Sequence, residues 1–140
     1  MAINIYTDGG SRGNPGPAAI GGVIKNNQGK EIYKFGKTIG VATNNIAEYQ
    51  ALVFAFTWLV KNKNKFDSST SFHFFLDSTL VVNQLNGLWK VKSPNMRQQI
   101  IYIRQLEAEL NFPIKYTAIP RGKNTQADSL LNQALNKQQF

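Results

Sequence analysis

Three β-rich runs crowd the first 39 residues, joined by connections too short to hold a helix, and this constrains the chain more than any other feature. The runs are residues 2–8, 18–25 and 30–39. Gly9-Gly10 and the turn-forming Gly13-Asn14-Pro15-Gly16-Pro17 end the first, and Asn26-Asn27-Gln28-Gly29 is a hairpin signal between the second and third. Strands linked this way suggest an antiparallel edge. From residue 44 the pattern changes. Asn44-Asn45 opens a helix to about Lys61, with Tyr49, Leu52, Val53, Phe56 and Val60 at helical spacing. Phe54, Ala55 and Trp58 lie on its other faces, so most sides of it should be buried. Lys61-Asn62-Lys63-Asn64-Lys65 ends it with cations that complement the helix dipole.

The apolar run 71–77 reads as a central strand. Ser78 can cap a short helix to about Asn86, where Gly87 stops it. Pro94 precedes a helix over 95–111, with Met96, Ile100, Ile103, Leu106 and Leu110 on one side. Residues 113–119 read as a strand, and Thr125 starts a last helix striped by Ala127, Leu130, Leu131, Ala134 and Leu135. Strand–helix alternation in this half favours parallel pairing through right-handed crossovers. The expected fold class is a mixed-sheet α/β domain, and the 140 residues are expected to form a single one.

There is no cysteine, which removes disulfide scaffolds, thiol nucleophiles and zinc–cysteine sites. The longest near-continuous apolar stretch, Ala51–Val60, is about half of a bilayer span. With no signal segment at the start, an intracellular, cytoplasmic protein without membrane contact is expected. Sixteen Lys+Arg against eight Asp+Glu favour a polyanionic partner, although net charge also serves solubility alone.

Four of the eight acids sit at or near element ends. Asp8 lies where the first strand meets its glycine loop, Asp77 closes the fourth strand, and Glu48 and Asp128 lie in the first turns of helices. Ends of parallel strands and starts of the following helices gather at the crevice where open α/β sheets bind ligands. If the first and fourth strands are neighbours, Asp8 and Asp77 start from backbones about 4.8 Å apart. Crowded carboxylates need compensation. Oxygen-only ligands favour Mg²⁺ or Mn²⁺, and two such ions about 3.5–4 Å apart could serve phosphodiester hydrolysis. Each acid also has a structural explanation. Asn45-Ile46-Ala47-Glu48 and Thr125-Gln126-Ala127-Asp128 both read as capping boxes, and Asp8 could be a turn aspartate.

The words around these acids carry more. Tyr6-Thr7-Asp8-Gly9-Gly10-Ser11-Arg12-Gly13-Asn14-Pro15-Gly16-Pro17 resembles the opening signature of type 1 ribonuclease H. Thr43-Asn44-Asn45-Ile46-Ala47-Glu48, Asp77-Ser78 and Asn124-Thr125-Gln126-Ala127-Asp128 resemble its later motifs, in order along essentially the whole chain. The resemblance implies a five-stranded mixed sheet, three strands antiparallel and two parallel, with helices on both faces. It implies a monomeric, metal-dependent endonuclease that cuts the RNA strand of RNA–DNA hybrids, leaving 5′-phosphate and 3′-hydroxyl ends. Asp8, Glu48, Asp77 and Asp128 would hold two Mg²⁺ ions, with Mn²⁺ a possible substitute. Gly9, Gly10, Asn14, Asn44 and Asn45 would meet the hybrid's minor groove, which is wide and lined by 2′-hydroxyls on one strand. Thr43 and Asn95 would form a pocket for a DNA-strand phosphate. Trp89, amid Lys90, Lys92 and Arg97, could pack on a DNA sugar or base, or equally in the core. Asn124 and Arg121 complete the expected contact set.

Three departures from the family pattern stand out. Ile119-Pro120-Arg121-Gly122-Lys123 lacks the histidine many relatives use in product release, and Arg121 or Lys123 would substitute. The sole histidine, His73, lies mid-strand, some 13 Å from Asp77, and reads as structural. Val41 stands where some relatives carry Arg, and Gly87–Asn95 is short, without a long basic insertion. No accessory hybrid-binding domain is expected, so binding should be weak and salt-sensitive. Two other classes compete. A non-catalytic hybrid-binding module would usually lack a carboxylate, and an integrase-like transferase would not need Gly-Asn-Pro-Gly-Pro or Asn44-Asn45.

Overall fold

The structure, a computed structural model, describes residues 1–137. Strands β1 (Ala2–Ser11), β2 (Gly16–Lys25) and β3 (Glu31–Ala42) form the antiparallel half of one sheet. Helix α1 (Asn44–Lys61) leads to β4 (Ser71–Leu76), then α2 (Thr79–Leu85), α3 (Pro94–Leu110), β5 (Ile114–Ala118) and α4 (Thr125–Lys137). The sheet order is β3-β2-β1-β4-β5, with β1, β4 and β5 mutually parallel. The mixed five-stranded sheet is therefore as expected.

Period-two alternation along β1 sorts its side chains between two layers. Ile3 and Ile5 enter the main core with Leu52, Phe56 and Leu59 of α1 and with Phe72, Phe74 and Leu76 of β4. Phe56 lies on Phe74 with ring centroids 4.5 Å apart. Burying each such side chain contributes roughly 1.5–3 kcal/mol. On the other face Ala19 packs under Leu131 and Leu135 of α4. As expected, α1 is buried on most sides, Phe54 and Trp58 being half-buried.

Four local expectations change. β1 does not end at Gly9-Gly10; Gly9, Gly10 and Ser11 stay in register with Ile20, Ala19 and Ala18, because a ladder needs backbone partners and not side chains. Asp8 therefore sits inside a strand and is no turn aspartate. Asp77 is the first residue past β4. Thr43, not Asn45, caps α1, its Oγ1 accepting from the Ile46 N–H, and this puts Glu48 beyond the first turn. The Asn124 carbonyl accepts from the Asp128 N–H, so Thr125 is the first helical residue of α4 and not its cap. Neither Glu48 nor Asp128 belongs to the capping box the sequence suggested.

Candidate active site

Asp8 and Asp77 meet because their strands are parallel neighbours. Tyr6 pairs with Phe75 in the β1–β4 register, and the two aspartates each lie two residues further on. Gly9 brings in the third acid. A Cβ there would stand 2.1 Å from the Ala47 carbonyl oxygen, so only glycine lets β1 approach the α1 backbone this closely. At that distance the Gly9 N–H donates to Glu48 Oε1 at 3.0 Å. Carboxylate oxygens of Asp8, Glu48 and Asp77 lie within 4.8 Å of one another.

Asp128 arrives from the opposite layer. Gly21, the partner of Asp8 on β2, would place a Cβ 2.2 Å from the Ala127 carbonyl oxygen. The α4 backbone thus rests directly on the sheet, and its first turn comes up beside Asp8. Asp128 stands outside the three-acid cluster but lines the same cleft, a space of about 440 Å³.

Burial makes the cluster costly. Asp8 and Glu48 are each only 6% exposed. Burial pushes the Asp8 carboxyl up to about 6, and the charges of Asp77 and Asp128 push the same way, while the neighbouring Glu48 carboxyl opposes them. Glu48 is held well above the usual carboxylate range, by burial first and then by Asp8. Asp77 is raised by burial too, with Arg121 and Asn124 pulling it back. Glu48 Oε2 and Asp77 Oδ2 are buried with no hydrogen-bond partner. Unpaired buried carboxylate oxygens are expensive, and a cation is the partner that would relieve them.

Comparison with known proteins decides the family. The reverse transcriptase-like family model matches residues 6–134. A type 1 ribonuclease H isolated from compost by a metagenomic approach shares 40% identity, covers 99% of both chains and superposes with a TM-score of 0.94. This chain belongs to the type 1 ribonuclease H family. Ribonuclease HI of the archaeon Halobacterium salinarum is 38% identical over 139 residues, 96% of this chain and 64% of its own length. A bifunctional protein of Mycobacterium tuberculosis is 39% identical over 137 residues, and the present chain spans 36% of it. The chain thus covers only part of these two relatives.

Of the residues expected in a ribonuclease H site, Gly9, Gly10, Asn44, Asn45 and Arg121 line the cleft with the four acids. Asn14 braces the cleft from outside, its Oδ1 accepting from the Asn44 N–H at 3.0 Å, while Asn44 Oδ1 accepts from the Ser11 N–H at 2.9 Å. Thr43 is occupied as the α1 cap, and Asn95 is exposed in the first turn of α3. Trp89 is 49% exposed, which removes core packing as its explanation. Asn124 is 1% exposed and donates to the Thr7 carbonyl at 2.8 Å, so it ties β1 to the start of α4 from beneath the surface, with its Oδ1 buried and unpartnered. His73 is structural as expected, its Nε2 lying 2.7 Å from Thr117 Oγ1 and its pKa lowered by burial and then by Lys115.

The side chains of Ser11, Arg12, Ser78 and Asn132 also line the cleft, and the sequence singled out none of them for the site. Ser78 caps α2 through its bond from the Val81 N–H. Asn132 was legible from helical spacing, being one turn beyond Asp128 and bonded to its carbonyl at 3.0 Å. Gly21 also carried a signal, since glycine inside a strand often marks close backbone approach. Among the described residues no helix is long and apolar enough to cross a membrane.

Proposed function

We propose that this chain hydrolyses the RNA strand of RNA–DNA hybrids with two divalent cations, Mg²⁺ foremost and Mn²⁺ as substitute, leaving 5′-phosphate and 3′-hydroxyl ends. The observation that carries the reading is three convergent carboxylates, two of them with a buried, unpartnered oxygen. An all-oxygen set of this kind fits hard cations. Asp8, Glu48 and Asp77 would hold one ion, and Asp8 with Asp128 the other. Cations bound there supply charge neutralisation and a lowered pKa for the attacking water.

The protein's own groups do the rest. Gly9 and Gly21 hold the carboxylates in place before substrate arrives, so little reorganisation is left for the reaction. Asn44 and Asn45 line the cleft and would offer their amides to the minor groove, and Glu48 would meet a ribose 2′-hydroxyl. Arg121 lines the cleft and its charge favours the ionised form of Asp77, which suits it to the role a histidine plays in many relatives. Trp89, Lys90 and Lys92 stand exposed on the loop after α2, suited to the DNA strand. The compost relative has been solved in complex with an RNA/DNA hybrid, which supports this substrate class. One chain supplies all four acids, so the proposed reaction needs no carboxylate from a second copy.

A metal titration with labelled hybrid, duplex RNA and duplex DNA tests the reading. The expected result is cutting of the hybrid's RNA strand alone, dependent on Mg²⁺ or Mn²⁺ and abolished by chelator. Retention of hybrid without cutting, or DNA joining, would overturn it.

A further inference from the structure

The loop Leu88–Lys92 is fastened at every residue, although it lies on the surface. The Leu88 and Trp89 N–H groups donate to the Asn83 carbonyl at 2.8 and 3.2 Å. Gln84 donates from Nε2 to the Lys90 carbonyl at 3.3 Å. Arg97, from α3, donates from Nε to the Val91 carbonyl at 2.8 Å and from its second terminal nitrogen to the Lys92 carbonyl at 3.2 Å. Three consecutive carbonyls are thus turned toward protein donors, and the side chains of Trp89, Lys90 and Lys92 are left exposed.

Gln84 is the unusual member. It is 5% exposed, between the buried Val81, Val82 and Leu85 of α2, and its Oε1 accepts the Tyr49 hydroxyl. Burying an amide costs free energy that an apolar side chain would not. Water could satisfy the carbonyl of the exposed Lys90 without help, so the bond's return is a fixed loop. The anchors sit on elements that also lead to the cleft. Tyr49 is a buried neighbour of Glu48 on α1 and does not itself line the cleft, and α2, capped by Ser78 at the cleft, spans about 10 Å before the loop begins.

We infer that Gln84 and Arg97 form a clamp that preorganises the cationic loop for nucleic acid, making Gln84 a positioning residue for substrate affinity. The inference rests on the hybrid-cleavage reading for the identity of the substrate. A loop already ordered loses little entropy on binding, so loosening it weakens affinity without touching the reacting atoms.

The test compares KM, kcat, hybrid affinity in chelator and its salt dependence across four variants of the full chain. Tyr49→Phe/Gln84→Met replaces both buried partners with apolar groups of similar shape and frees only the Lys90 carbonyl. KM and Kd should rise roughly 3- to 10-fold, with kcat within about twofold and the log–log salt slope unchanged. Tyr49→Phe alone keeps the loop bond and should leave Kd unchanged. Arg97→Lys keeps the charge, loses the two-point contact and should weaken binding like the double variant. Lys90→Ala/Lys92→Ala should instead lower the salt slope by up to about 2. The clamp is overturned if the double variant and Arg97→Lys both bind hybrid as wild type does. It is equally overturned if the double variant's loss lies in kcat and melting temperature with KM unmoved, since Gln84 is then only a core strut. A wild type that binds hybrid but never cuts it would fail the hydrolysis reading, while the affinity arm would still decide the clamp.

Discussion

Replacing Asp8 by Asn should stabilise the metal-free protein, and the pH dependence of the gain should reveal its cause. The Asp8 carboxyl is raised from an ordinary 3.8 to about 6, through burial first and through Asp77 and Asp128 after it. That difference corresponds to about 3 kcal/mol of disfavoured ionisation. Well below pH 3.8 both the folded and unfolded states carry the proton, and the substitution changes nothing by this route. Between 3.8 and about 6 the folded state keeps a proton that the unfolded chain has released, so wild-type stability falls as pH rises. Above about 6 the loss is complete. Asp8→Asn, with no proton to lose, should therefore exceed wild type by only about 0.5 kcal/mol at pH 4 and by about 3 kcal/mol at pH 7.5. Urea unfolding in chelator at the two pH values measures this directly. A variant less stable than wild type at pH 7.5, or one with the same difference at both, would refute a carboxyl whose ionisation the fold disfavours and return Asp8 to a structural role. The same variant should lose hybrid cleavage altogether.

Other outcomes follow from the same geometry. Gly9→Ala drives a methyl group into the Ala47 carbonyl, and should cost about 1–3 kcal/mol of stability as well as most activity; a melting temperature equal to wild type would show that α1 can retreat freely. Asn45→Ala should weaken hybrid binding by about 1–3 kcal/mol with unfolding unchanged, read by anisotropy titration, and an unaltered Kd would remove Asn45 from the contact set. Hybrid affinity should fall steeply between low and moderate salt, given the excess of 16 basic over 8 acidic residues; a nearly flat response would contradict a phosphate-dominated interface.

Much of this site was readable before any coordinates. The hairpin signal at Asn26–Gly29, the helical stripes and the strand at 71–77 are local patterns, and local backbone and burial preferences set them. The motif words around Asp8, Glu48, Asp77 and Asp128 singled out four acids that the fold brings to one cleft. Local rules misled where a longer-range partner won. Glycines at 9 and 10 read as a strand end, yet β2 pairs with them; Glu48 read as part of a capping box, yet Gly9 of a distant strand claims its carboxylate.

The chain alone therefore determined which elements form, in which order, and which side chains bear charge, because those properties depend on neighbours a few residues away. Tertiary structure decided what the charges do. It set Asp8 beside Asp77 through strand register, drew Glu48 in through a contact that only glycine permits, and seated α4 on Gly21 so that Asp128 faces the same cleft. It also buried Asn124 and left Trp89 exposed. The physical reason is that desolvation and Coulomb interaction act through space, so the state of Asp8 depends on groups 40 to 120 positions away in the chain.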